Sequence, residues 1–253
     1  MQNGEISVSI DKGISEVMFY HPAGNSFPSS LLDSLIGVLL KEDENKETKV
    51  VLIRSKGDRA FCAGASFDEL LQIKDKEEGK AFFMGFARLI NTIKNLNKPV
   101  LGMVQGKTVG GGVGLAASFD FCAASESAEI KLSELNIGIG PFVIAPVLEH
   151  KIGVSALASL TWDPNNWRSA KWALDKGLFH EVYKDMSELE KGIYKTASHL
   201  ASLSSKALQE FKKASWDGTD NWLKLMEERA ETSGTLVLGT EAREFLNTFT
   251  QKK

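Results

Sequence analysis

Four glycines in five positions, Gly110, Gly111, Gly112 and Gly114 within KTVGGGVGLAASFDF (107–121), concentrate more bare backbone than an ordinary packed element uses. No charged side chain interrupts the run between Lys107 and Asp120. Read as a pattern, Gly112-Val-Gly114-Leu-Ala-Ala117 fits the dinucleotide fingerprint GxGxxA, and Glu134 follows Gly114 by twenty residues. A dinucleotide fold, however, runs its strand straight into the first glycine and follows it with a helix of three or more turns. Here PVLGMV ends near Val104, Gln105 to Val109 intervene, and a helix from Gly112 to Ser118 spans only about two turns. The dinucleotide reading fails. Glycines at a helix start then either make a tight turn that packs helix on sheet or expose N–H groups to an anion or a developing oxyanion.

A second segment repeats the arrangement. RAFCAGASFDEL (59–70) reads as a strand, then Ala63-Gly64-Ala65, then a helix capped by Ser66. Two strand–glycine–helix turns can each aim one backbone N–H at the same oxygen.

The rest of the chain supplies a frame for them. EISVSI and ISEVMFY flank an Asp11-Lys12-Gly13 turn and read as a hairpin. After HPAGNSF, Ser29 or Ser30 caps a helix running to about Glu44. VVLIRS, PVLGMV and FDFCAA are buried strands, alternating with helices over FDELLQI and over EEGKAFFMGFARLINTIKNL, which ends at Asn97-Lys98-Pro99. This alternation predicts an α/β core. From about Asp185 only helical patterns follow, so the expected division is a core over 1–184 and a helical appendage over 185–253. The length of 253 residues suits one large domain or a domain with an appendage.

Composition narrows the partners. A net charge of −3 with mixed signs leaves no footprint for nucleic acid or an anionic membrane. The most apolar region, 99–125, is cut by Lys107 and Asp120, so no membrane span is expected. Cys62 and Cys122 make no disulfide framework and point to a reducing cytoplasm. His21, His150, His180 and His199 lie scattered without ligand spacing, so no metal site is expected.

RAFCAGASFDEL and KPVLGMVQGKTVGGGVGLAASFDFCAASESAEIKLSELNIGIGP, in this order, resemble the two signature motifs of the crotonase (enoyl-CoA hydratase/isomerase) superfamily. The resemblance covers nearly the whole chain. It implies a crotonase (ClpP-like) spiral of repeated ββα units with a C-terminal helical trimerisation region, and a homotrimer or dimer of trimers. It implies an acyl-CoA thioester as substrate, the coenzyme A being part of that substrate and no cofactor being needed. By position, the backbone N–H groups of Ala65 and Gly111 would hold the enolate oxygen, with Gly64 and Gly110 in the same turns. Gly24, Ser26, Ala63, Ser66 and Phe67 would line the path of the adenine and pantetheine.

Where two-carboxylate hydratases of the family carry a glutamate, this chain has Gly114; their second acid matches Glu134 in LSEL. Leu132, Leu135 and Ile137 around Glu134 predict burial and a raised pKa, as a proton shuttle at neutral pH requires. One carboxylate and an oxyanion hole support hydration, double-bond isomerisation, or decarboxylation or dehydration of an acyl-carrier substrate. The GGGVGLA turn, the SE pair and FVIAPVL after Pro141 resemble single-glutamate hydratases of the methylglutaconyl-CoA type. The expectation is therefore hydration of a branched or carboxylated 2-enoyl-CoA such as 3-methylglutaconyl-CoA, with isomerisation second. Gly114 would make room for the acyl group, Pro141 would be a further substrate-binding residue, and Lys107, Lys131 and Lys151 are the candidate cations for the acyl carboxylate. A non-catalytic acyl-CoA-binding or assembly module is the alternative of another class, favoured by Gly114 and opposed by Glu134.

Overall fold

The computed structural model describes residues 4–250, with side chains described as far as residue 248. The hairpin forms as the turn chemistry predicts. β1 (Glu5–Asp11) pairs antiparallel with β2 (Ile14–Tyr20), and Lys12 and Gly13 at the turn both have positive φ. The helix α1 (Ser29–Glu44) begins where expected but is capped differently. Pro28 is its N-cap, and the carboxylate of Glu69 accepts from the Ser29 N–H at 2.9 Å and the Ser29 hydroxyl at 2.7 Å. A side chain from 40 residues away satisfies the helix start and places negative charge at its positive end.

Three strand pairs then follow, and in each the first strand joins one sheet and the second joins another. They are β3 (Val50–Ser55) with β4 (Ala60–Cys62), β5 (Val100–Val104) with β6 (Lys107–Val109), and β7 (Phe121–Ser125) with β8 (Glu129–Lys131). Between the pairs lie α2 (Phe67–Leu70), α3 (Lys76–Asn95) and α4 (Gly111–Ser118). After β8 come α5 (Ala145–Thr161), β9 (Arg168–Ser169), α6 (Ala170–Asp175) and β10 (Glu181–Tyr183). The larger sheet has the order β1-β2-β3-β5-β7-β10, parallel except at the hairpin; the smaller is β4-β6-β8-β9, with β9 antiparallel. β3 and β5 are apolar runs buried on both faces, as parallel strands between covering layers must be. This is an α/β spiral of repeated strand pairs.

The chain ends in α7 (Met186–Ser202), α8 (Ser205–Ser215), α9 (Trp222–Leu236) and α10 (Thr240–Thr250). These helices do not stand apart as an appendage would. Leu189, Ile193, Ala197 and Ala201 of α7 bury against Val50, Leu52, Leu101 and Met103 of the large sheet. α9 crosses α3 so closely that a β-carbon on Gly79 would stand 2.7 Å from the Cα of Gly234. Trp216, Trp222 and Met226 are buried in the main core cluster of the protomer itself.

Candidate active site

Two turns build the site. Gly64 has φ +89° and Gly110 φ +54°, conformations that residues with a β-carbon rarely adopt. They stand side by side: a β-carbon on Gly64 would lie 3.0 Å from the Val109 carbonyl oxygen and 3.7 Å from the Gly111 nitrogen. Around the first turn the neighbouring amides are engaged. Ala63 N–H donates to Gly24 O, Gly64 N–H to the Cys62 sulfur, and Ser66 N–H to Phe27 O, and none of these bonds uses the Ala65 N–H. Burial pushes the Cys62 thiol up to about 12, so that sulfur is an acceptor and no nucleophile. In the second turn Gly110 N–H donates to Lys131 O at 3.0 Å, and Gly111, as the first residue of α4, has no intrahelical acceptor for its own N–H. Among the described residues, the Ala65 and Gly111 amides of these adjacent turns are thereby left without a backbone acceptor.

The Gly110–Lys131 bond also brings in the acid. Three residues beyond Lys131, Glu134 opens a short 3-10 turn (Glu134–Ile137), closed at Gly138 and covered by α10. Its carboxylate returns over the glycine turn, where a β-carbon on Gly110 would stand 2.8 Å from Oε1. Oε2 is fully buried and has no hydrogen-bond partner among the described residues. Burial raises the Glu134 pKa to about 7, with the backbone amides of Glu134 and Ser133 offsetting only part of that cost. The residue as a whole is half-buried, while its Oε2 is fully buried.

Ala65, Gly111 and Glu134 line one cavity of about 670 Å³ measured to its open mouth, together with Ala63, Gly64, Phe67, Gly110 and Pro141. Gly24 and Ser26 stand behind its rim: a β-carbon on Gly24 would lie 3.3 Å from that of Ala63, and Ser26 Oγ bonds His21 Nδ1. Ser66 faces away from the cavity and caps α2, accepting from the Glu69 N–H at 3.3 Å. Asn25 fixes this loop by donating to Lys56 O and Ala60 O at 3.0 and 2.8 Å.

Gly114 does not line the cavity, which corrects the expectation that it makes room for the acyl group. The space beside it is filled by Ile144, whose Cγ2 would lie 2.4 Å from a β-carbon there. The candidate cations fall elsewhere too. Lys107 and Lys131 stack their ammonium groups on Trp167 at 4.7 and 4.6 Å, and Lys151 lies over Trp216 at 5.7 Å. Among the described residues Glu134 is the one charged side chain on the cavity wall. Apart from Ser133 and Ser233 the remaining side chains of the wall are apolar: Phe82, Phe83 and Phe86 of α3 face Phe142, Val143 and Ile144 before α5. The sequence carried a signal for the first group, the aromatic positions 82, 83 and 86 in KAFFMGFARL, which lie within one turn of a helix.

An acidic proton carrier poised near neutrality, beside two paired amides in an apolar cleft, suits formation of an enolate oxyanion from a thioester. The sequence matches the enoyl-CoA hydratase/isomerase family over residues 9–246. It is 27% identical over 256 residues to the Bacillus subtilis (strain 168) protein named "Probable enoyl-CoA hydratase", covering 98% of this chain and 96% of that one. It is 22% identical, with the same coverage, to the trans-2-decenoyl-[acyl-carrier-protein] isomerase of Streptococcus mutans serotype c. The fold superposes on the crystal structure of enoyl-CoA hydratase from Bacillus halodurans with a TM-score of 0.89 at 18% identity, covering 96% of this chain and 99% of that chain. The protein belongs to the enoyl-CoA hydratase/isomerase family.

Proposed function

We propose that the protein shifts the double bond of an enoyl thioester between the 3,4 and 2,3 positions, with Glu134 carrying the proton. One observation carries this reading: among the described residues Glu134 is the one carboxylate on the cavity wall, and Ile144 fills the place beside Gly114. In a 3-enoyl thioester Glu134 takes a proton from C2, and the electron pair delocalises over C4, C2 and the thioester oxygen. The Ala65 and Gly111 amides hold that oxygen, each such donor being worth about 3 kcal/mol in the transition state. Protonated Glu134 then returns the proton to C4, and the double bond comes to rest between C2 and C3. No cofactor and no water enters the balance. The phenylalanine wall suits a transfer that must not leak its proton to solvent.

The wall also suits an unbranched apolar acyl tail better than a carboxylated one, since no basic side chain on it would pair with a second carboxylate. Hydration by the same carboxylate is the second reading, favoured by the printed name of the Bacillus subtilis relative. The assembly that accompanies the reading is a homotrimer or a dimer of trimers. The buried free thiols of Cys62 and Cys122 support a reducing, cytoplasmic setting, and among the described residues no helix is long and apolar enough to cross a membrane.

Incubating 3-decenoyl-CoA and 2-decenoyl-CoA with the protein in heavy water tests the proposal. Isomerisation gives conjugated-enoyl absorbance from the first substrate, with no added mass of water and little deuterium in the product, because Glu134 carries the substrate's own proton from C2 to C4. A product heavier by one water from the 2-enoyl ester, with no bond migration, would replace this reading by hydration.

A further inference from the structure

A second cleft lies on the far side of α4, at the ends of β5 and β7 beneath α8, and opens to about 1120 Å³. Its polar floor is Asp120, Lys151 and Lys212, with His180 at the lip. Asp120 is fully engaged: Oδ2 accepts from the Val100 N–H and the Lys212 ammonium, both at 2.7 Å, and Oδ1 accepts from the Trp216 indole at 3.0 Å. Lys151 therefore adds a positive charge beyond the pair. Among the described residues it makes no hydrogen bond and no close ion pair; its ammonium lies over the face of Trp216, and the Asp120 charge acts on it from farther off. Burial pushes its pKa below the usual lysine range, with the Asp120 charge offsetting only part of that cost and Lys212 adding to it.

His180 supplies a second donor. The Cys122 N–H donates to His180 Nδ1 at 3.0 Å, so the ring proton of the neutral imidazole sits on Nε2. Burial, with Lys151 nearby, lowers the His180 pKa and holds it in that neutral form, and stacking on Phe121 fixes the ring plane. The other walls are apolar: Leu101, Leu200, Leu208 and Phe211. His150 is already committed to Ser215 O and to the Trp216 face.

We propose that this cleft binds an aliphatic monocarboxylate, its two oxygens held by Lys151 and His180 and its tail along the leucines and Phe211. One ammonium and one imidazole N–H match the two oxygens of a carboxylate, and apolar walls disfavour a phosphate dianion that would bring more charge than the floor neutralises. The site is separate from the Glu134 cavity and independent of the reaction proposed there.

Calorimetric titration of the full chain with octanoate, octanol and octylamine tests this. Octanoate is expected to bind once per chain and at least about tenfold more tightly than octanol or octylamine. Lys151→Met is expected to weaken octanoate by about tenfold or more, Lys151→Arg to retain it, and Glu134→Gln to leave it within about twofold. Equal binding of octanol, no octanoate binding, or a loss caused by Glu134→Gln but not by Lys151→Met would each overturn the proposal. If Lys151→Met fails to fold, the comparison of head groups on the unaltered protein decides.

Discussion

Ile144 fills the space beside Gly114: its Cγ2 would stand 2.4 Å, and its Cβ 2.7 Å, from a β-carbon on that glycine. The resemblance places a second carboxylate at 114 in the two-carboxylate hydratases, so an isoleucine and a glycine together occupy what one glutamate would need. Gly114→Glu alone should overpack α4 against Ile144 and destabilise the fold by about 1–3 kcal/mol. Gly114→Glu combined with Ile144→Gly should recover that stability and put a second carboxylate near Glu134. The double variant is then expected to release hydrated product in a proportion at least about tenfold above the unaltered protein. Mass analysis of products checks it, and an unchanged proportion would mean that the second carboxylate does not decide the reaction.

Glu134 is held against its own ionisation. Its folded pKa of about 7 lies above the ordinary carboxyl value of 4.5, so between those pH values the native state binds a proton that the unfolded chain has released. Stability therefore falls as pH rises from about 4.5 to 7 and is level above, by up to about 3 kcal/mol. Glu134→Gln keeps the shape without the charge. It should be more stable than the parent at pH 8 by about 1–3 kcal/mol, with the gain gone below pH 4.5, as urea midpoints at the two pH values will show.

The same variant should lose most turnover while binding thioester nearly as before, because an amide cannot exchange the proton. In the unaltered protein, kcat/KM for a 3-enoyl ester should rise with pH through about 7, as the carboxylate form accumulates. More than about a tenth of the parental rate in Glu134→Gln would remove this residue from the mechanism.

Gly111 tests the amide pair. A β-carbon there would stand 2.5 Å from the Phe86 ring, so Gly111→Ala should push α4 and α3 apart and shift the N–H from its line of aim. A loss of about a hundredfold in kcat is expected. Phe86→Leu added to Gly111→Ala makes room for the methyl group and should return part of that loss. A double variant as slow as the single one would assign the defect to something other than the displaced amide.

The two turns and the acid were legible in the chain because their chemistry is local. Glycine at positive φ, a helix start and a carboxylate among leucines are read within about a dozen residues. What was not legible depends on contacts between distant segments. Ile144 meets Gly114 only because α5 packs on α4, so the missing glutamate read as open space when it is filled. Lys151 looked available to an acyl carboxylate, yet α5 carries it to another face, over Trp216. The helical pattern after Asp185 reads the same whether the helices stand apart or cover a sheet. The core under α7 and the burial of Trp216 and Trp222 depend on the strand order, which a local pattern does not contain.

That burial changes where self-association must be sought. Trp216, Trp222 and Met226, in the helical region expected to form the interface, are consumed inside the protomer. Trp162, at the C-terminal end of α5, is 77% exposed, the most exposed of the large apolar side chains. A tryptophan covers roughly 150–250 Å² when buried, worth several kcal/mol at about 25 cal/mol per Å². Leaving it in water on every copy is costly, and a closed ring of identical chains would bury it repeatedly. Light scattering at micromolar concentration should give a mass of three or six times 27.7 kDa. Trp162→Arg should lower that mass without changing the circular dichroism of the fold. A monomeric parent protein would sink the trimer, and a Trp162→Arg variant that assembles as the parent does would move the interface away from α5.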